Sequence, residues 1–148
     1  MIKIISEIGI NHNGDIELAK KMIEESKNAG ADLVKFQKRD INLVYSKEIL
    51  DQKRESPWGT TNREQKIGLE FGKKEYDEID RYCKEKGIEW SASPWDLDSL
   101  EFLMQYNIPW IKIPSAMITN EALMRSSAAT GKKVIFSTGM STYEEIDQ

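Results

Sequence analysis

Short apolar runs alternate with stretches of helical periodicity along this chain. The first run, roughly Lys3 to Ile10, predicts a strand that ends in the turn Asn11-His12-Asn13-Gly14-Asp15. Asp15 is placed to cap a helix from Ile16 to about Asn28, whose Leu18, Met22, Ser26 and Ala29 share one face, and Gly30 ends it. Leu33 to Gln37 reads as a second strand. A helix follows from about Lys73 to Glu85, with Tyr76, Ile79 and Cys83 on one face and Gly87 as its stop. Ile88 to Ser93 is a third strand, and Asp96 caps a short helix through Tyr106. Trp110 to Ile113 is a fourth strand. Asn120 caps a helix that ends at Gly131, and Lys133 to Ser137 is a fifth strand. Ser141 and Glu144 have capping-box spacing and open a further helix. Between the second strand and the Lys73 helix, Lys38 to Gly72 shows no clear period. It reads as one long loop, a length that usually signals a functional lid.

Strand-helix alternation predicts an α/β fold with a parallel sheet. Two architectures compete: an open flavodoxin-like sheet, and a TIM barrel of (β/α) repeats. The polar positions separate them. Lys35 and Gln37 alternate with Val34 and Phe36, Ser91 and Ser93 with Trp90 and Ala92, and Lys112 stands between Ile111 and Ile113. Each strand therefore has one polar face. Helices on both sides of an open sheet would bury that face, whereas a barrel interior has room for it. The barrel is favoured. A whole barrel takes about 250 residues, so the 148 residues here correspond to about five of eight strands, a truncated barrel.

Composition narrows the class. Charged residues make up 31% and the net charge is −4, which argues against a nucleic-acid surface or a basic membrane patch. A single cysteine, Cys83, excludes an internal disulfide and fits a reducing, cytoplasmic setting. A charge at Lys3 and the absence of any apolar run near the roughly 20 residues of a membrane span argue against a signal peptide or an anchor.

The charges inside apolar strands are the candidate chemistry. Glu7, Lys35 and Lys112 each interrupt such a run, and an unpaired buried charge costs several kcal/mol. Ser93, Ser115 and Ser137 lie at strand ends, where barrel enzymes place their sites. Two ammonium groups and several hydroxyls suit a phosphate or phosphocarboxylate. Two other readings stay open: each lysine simply pairs with a carboxylate such as Glu7, or one lysine forms a Schiff base as in class I aldolases. Asn11 and His12 close the first strand, and a lone histidine on a turn is more often structural than a metal ligand. Gly139, in the turn after the fifth strand, permits a phosphate cradle of backbone N–H groups. Arg54, Arg63 and Lys66 in the long segment are candidates to close over an anion, although a solvated charged loop is the slightly better reading.

Five ordered segments then carry a resemblance: Ile4 to Gly14, Gly30 to Gln37, Ser91-Ala92-Ser93-Pro94-Trp95, Ile111 to Ala116, and Phe136 to Met140. Together the chain resembles the sialic acid (N-acetylneuraminate) synthase family, including legionaminic and pseudaminic acid synthases. The resemblance implies a barrel enzyme that condenses phosphoenolpyruvate with an N-acyl hexosamine such as N-acetylmannosamine, giving a nine-carbon 2-keto sugar acid. It implies Lys35, Ser93, Lys112, Ser115 and Ser137 as phosphoenolpyruvate ligands and Glu7 as the base or positioning carboxylate. Gln37, Asn11, His12, Arg54 and Arg63 are further substrate or lid candidates. It also implies a divalent metal, Mn²⁺ or Mg²⁺, whose ligands are expected beyond residue 148, and a homodimer with an antifreeze-like C-terminal domain. Ala116 and Met117 depart from the Gly-Glu that many family members carry. Residues 1–148 thus read as the N-terminal part of such a barrel, expected to be inactive alone, or as a non-catalytic half barrel that binds a phosphorylated ligand.

Overall fold

The computed structural model describes residues 2–147. Strand β1 (Ile5–Gly9) is followed by helix α1 (Ile16–Asn28) and strand β2 (Leu33–Lys38). Asp15 caps α1 by accepting from the Glu17 and Leu18 N–H groups. Gly30, at φ +88°, closes its far end: the Gly30 N–H donates to Lys27 O and the Ala31 N–H to Ser26 O. Paired bonds of this kind satisfy carbonyls that a helix terminus leaves free. Helix α5 (Lys73–Lys86) ends at left-handed Gly87 and leads into β5 (Glu89–Pro94). Helix α6 (Leu97–Leu103), β6 (Trp110–Ile113), α7 (Glu121–Ala129), β7 (Lys133–Phe136) and α8 (Tyr143–Asp147) complete the chain.

β1, β2 and β5 form one parallel ladder, with β2 in the middle, and β6 and β7 form another. β6 lies beside β5, where the Ser91 hydroxyl donates to the Trp110 carbonyl at 2.6 Å. The spatial order is therefore β1-β2-β5-β6-β7, with the ladder interrupted between β5 and β6.

The helices cover one face of these strands. Ile8, Val34, Phe36, Trp90 and Ala92 pack against Ala19 and Ile23 of α1 and Tyr76, Ile79 and Cys83 of α5. Ile111 and Ile113 pack with Leu100 of α6 and Leu123 of α7. Parity does the rest: the register sets Lys35 beside Ser91 and Gln37 beside Ser93, so the polar side chains share the face that no helix covers.

The long segment after β2 is not a loop. It folds as α2 (Ile41–Val44), α3 (Lys47–Leu50), the hairpin β3 (Lys53–Ser56) and β4 (Gly59–Thr61), and α4 (Asn62–Leu69). Asp40, Ser46 and Thr61 cap its three helices, and Thr61 with Glu64 forms a full capping box. Each element is too short to show a period. Their order comes from packing of Trp58 on Gly68 and of Gly14 on the Gly68 carbonyl. The final helix is capped one residue later than the spacing predicts: Thr142 and Glu145, not Ser141 and Glu144, exchange the capping hydrogen bonds. Among the described residues, no helix is long and apolar enough to cross a membrane.

A methyl group on Gly68 would collide with the Trp58 indole, and one on Gly14 with the Gly68 carbonyl. Gly68→Ala is therefore expected to cost about 1–3 kcal/mol of stability. Urea unfolding reads the loss, and limited proteolysis should find faster cutting within residues 51–60.

Candidate functional site

Lys35 is buried in the middle of β2, its side chain 7% exposed, and its Nζ lies 3.7 Å from Glu7 Oε1 on β1. Glu7 is asymmetric to it, with a side chain 67% exposed, so the carboxylate stays open to water and ligand while the lysine stem does not. Lys35 Nζ is also 3.5 Å from Ser93 Oγ. Burial pushes the Lys35 ammonium below its usual pKa, and the Glu7 charge pulls it partly back. Pairing with a carboxylate is thus real for Lys35.

Lys112 differs. It is half-buried on β6, and among the described residues no carboxylate lies within ion-pair distance of it. Its Nζ donates to Ser137 Oγ at 2.5 Å and to the Ile113 carbonyl at 3.1 Å. Burial first and the like charge of Lys35 second lower its pKa, while Glu7 opposes the shift. The two lysines therefore feel each other across the polar face. Such repulsion is relieved by an anion between them. Ser115 opens a short 3₁₀ turn after β6. It lies against Gly139, where a Cβ would come within 3.6 Å of its Oγ. Ser93, Ser115 and Ser137 thus sit at the C-terminal ends of β5, β6 and β7.

Gln37 stands on the same face one step above Lys35, its side-chain amide packed over Gly9. Asn11 stays exposed on the turn after β1. His12 is not presented to a ligand: it is 2% exposed, stacked on Phe71 at 3.8 Å, and its Nδ1 accepts from the Gly14 N–H. Burial lowers its pKa to about 4, so it is a neutral structural residue that ties the β1 turn to the end of the long segment. Arg54 is exposed on β3, and Arg63 is held by Asn42 at 2.6 Å with Asp51 beyond it at 3.8 Å. The bonds of Arg63 lie within the segment and not across the lysines. Among the described residues no group of three or more His, Cys, Asp or Glu side chains is placed to hold a metal ion.

A further buried cluster, absent from the candidates above, lies just past the end of β2. Arg39 follows β2 and pairs with Glu70 at 2.6 Å, while its Nη1 donates to the Tyr45 hydroxyl at 2.9 Å. Burial pushes the Glu70 carboxyl up, and Arg39 opposes it. This pair fastens the long segment to the strand ends. The available signal was period two: Arg39 continues the series Lys35, Gln37.

Fold and site together define a class: an α/β protein whose parallel strands are covered by helices on one face and carry lysines and hydroxyl side chains on the other. Comparison makes this specific. The NeuB family model matches residues 22–148; the chain belongs to the NeuB family. It is 41% identical to the N-acetylneuraminate-9-phosphate synthase of Drosophila melanogaster over 99% of its own length and 40% of that protein. It is 37% identical to the N,N'-diacetyllegionaminic acid synthase of Campylobacter jejuni, over 98% of this chain and 44% of that one. The solved N-acetylneuraminic acid synthetase of Leptospira borgpetersenii superposes with a TM-score of 0.85 at 30% identity, covering 99% of this chain and 47% of that one. The chain thus spans less than half the length of these relatives.

The His12 shift has a consequence for stability. The unfolded imidazole takes a proton near pH 6.5 and the folded one near pH 4. Stability held above pH 6.5 is lost as pH falls to 4, by about 3 kcal/mol from this group. Urea unfolding of the chain and of H12Q between pH 7 and 4 should show a shallower decline in the variant.

Proposed function

We propose that this chain carries the phosphoenolpyruvate-binding part of a sialic acid synthase-type active site, built on the first five strands of a (β/α)₈ barrel. One observation carries the reading: Lys35 and Lys112, on separate strands, each reach a strand-end hydroxyl, Lys35 Nζ at 3.5 Å from Ser93 Oγ and Lys112 Nζ at 2.5 Å from Ser137 Oγ. Phosphoenolpyruvate has a carboxylate and a phosphate on one small frame. Two ammonium groups offset its charge, and the three hydroxyls donate to its oxygens.

In the proposed reaction C3 of phosphoenolpyruvate attacks the aldehyde carbon of an open-chain N-acyl hexosamine. Water adds at C2, and phosphate leaves with cleavage of its C–O bond. Glu7, exposed and beside Lys35, positions that water or takes its proton. Gln37 is placed to contact the sugar. The names of the relatives support a sugar acid of the sialic, legionaminic or pseudaminic type. A divalent ion, Mn²⁺ or Mg²⁺, with ligands outside residues 1–148, a homodimeric whole enzyme with an antifreeze-like domain, and a cytoplasmic setting complete the reading. No step is assigned to the metal here. The sugar and its acyl group are left open by Ala116 and Met117, which stand where many family members carry Gly-Glu.

Calorimetric titration with phosphoenolpyruvate should give saturable binding. Lys35→Ala and Lys112→Ala should each weaken it roughly 10- to 100-fold, the worth of one charge-assisted contact. Affinity unchanged in both variants would remove the assignment. Because this reading puts the metal ligands outside residues 1–148, the 148-residue chain with Mn²⁺, phosphoenolpyruvate and N-acetylmannosamine should form no keto acid. Steady product formation detected by a keto-acid assay would overturn that part of the reading.

A further inference from the structure

Beyond the lysines, the pairing of β2 with β5 continues past the strand ends. Its register sets Lys35 beside Ser91, Gln37 beside Ser93 and Lys38 beside Pro94. The Trp95 N–H then donates to the Lys38 carbonyl at 3.1 Å, and the Asp40 N–H to Asp96 Oδ2 at 2.7 Å. Arg39 and Trp95 therefore form a third row above Gln37 and Ser93, with the guanidinium 5.6 Å from the Trp95 ring and 5.9 Å from the Tyr45 ring. Arg39 is 6% exposed. Its Nε and Nη1 are taken by Glu70 and the Tyr45 hydroxyl. Its Nη2 is buried and meets no acceptor among the described residues, and the same holds for the Trp95 indole Nε1. Buried donors in folded proteins nearly always have an acceptor, and one left without is costly. Two of them on neighbouring residues mark a place for an oxygen that these residues do not supply.

Charge and distance select that oxygen. Arg39 is already matched by Glu70 at 2.6 Å, and two more carboxylates, Asp40 and the buried Asp96, belong to the next residues of the two chain segments. A phosphate here would meet carboxylates with no spare cation to offset it, whereas a hydroxyl needs only the two N–H groups. The rings of Trp95 and Tyr45 give the place apolar walls, as ligand pockets with few polar groups have. Lys35 Nζ reaches Ser93 Oγ, in the second row. The third row lies two residues further along the strand, about 7 Å, which is close to the length of a six-carbon chain. We infer that Arg39 Nη2 and Trp95 Nε1 are the subsite for the uncharged hydroxyl end of an open-chain sugar, the end remote from its aldehyde, and that they select against a sugar phosphorylated at that end. The inference rests on the proposed function for the sugar and its direction, but not for the donors. Both nitrogens are closed to bulk water. Tyr45 and Glu70 belong to the segment over the strand ends, so the sugar enters with movement of that segment.

The test reads the indole N–H by nuclear magnetic resonance. The ¹⁵N-labelled 148-residue chain has four tryptophans, and W95F identifies the Trp95 indole resonance by removing it. With phosphoenolpyruvate present, N-acetylmannosamine should move that resonance saturably. W95F, whose ring has no N–H, and R39K, which keeps a charge for Glu70 but lacks Nη2, should each bind the sugar roughly 2- to 10-fold more weakly, the worth of one hydrogen bond. Circular dichroism and phosphoenolpyruvate affinity should stay unchanged in both. N-acetylmannosamine 6-phosphate should bind more weakly than the unphosphorylated sugar. A Trp95 resonance that stays still up to the highest sugar concentration, full sugar affinity in both variants, or tighter binding of the 6-phosphate would each overturn the inference. So would a long-lived water on the Trp95 N–H, seen by cross-relaxation, that stays in place at saturating sugar. The two proposals fail separately. A Trp95 response to the sugar without phosphoenolpyruvate affinity removes the lysine assignment alone, and phosphoenolpyruvate binding with a silent Trp95 removes this subsite alone.

Discussion

An ammonium enclosed by protein must find opposite charge, and the site is arranged around that demand. Lys35 lies in the middle of a strand, between the core residues Val34 and Phe36. Removing such a charge from water costs several kcal/mol unless neighbours compensate. Glu7 supplies part of the compensation from the adjacent strand, at 3.7 Å and still open to solvent. Lys112 works against it from β6. The polar face is therefore left with two positive groups and one exposed negative group. On the proposed reading, such a surface gains from an incoming anion.

The scaffold explains why that arrangement is tolerated. Helices bury one face of β1, β2, β5 and β6, and β7 only in part, so the opposite face is free to be polar. Glycines and small hydroxyl residues gather at the strand ends: Gly9, at φ +58°, lies beside the Gln37 amide and Gly139 beside Ser115. The segment from Arg39 to Phe71 is then fastened over the ends of β1 and β2. Arg39 pairs with Glu70, Lys38 donates to the Phe71 carbonyl at 3.2 Å, and His12 stacks on Phe71. Its cationic residues are used in holding it together, as Arg63 on Asn42 illustrates.

Much of this was legible in the sequence, for reasons that are local. Asp15, Asn120 and Gly87 act where their side-chain chemistry says they should, and period two alone put Lys35, Gln37, Ser91 and Ser93 on one face. What escaped depends on contacts distant in sequence. The elements between residues 41 and 69 are three to eight residues long, below the length at which a period can be recognised. They are set by Trp58 meeting Gly68, an encounter no local pattern encodes. The last cap was misplaced by one residue because Ser141-Glu144 and Thr142-Glu145 satisfy the same spacing rule. His12 on its turn read more readily as a structural residue than as a ligand, and its stacking on Phe71 agrees, but the partner itself lies far off in sequence.

The central claim is that Lys35 and Lys112 act on one anion together. A double-mutant cycle on phosphoenolpyruvate affinity, with Lys35→Ala, Lys112→Ala and the double variant titrated by calorimetry, tests it most directly. Two charges that share one ligand are coupled, so the double loss should fall short of the summed single losses by at least about 0.5 kcal/mol. Losses that add without coupling, or a double variant that binds as the parent does, would contradict it.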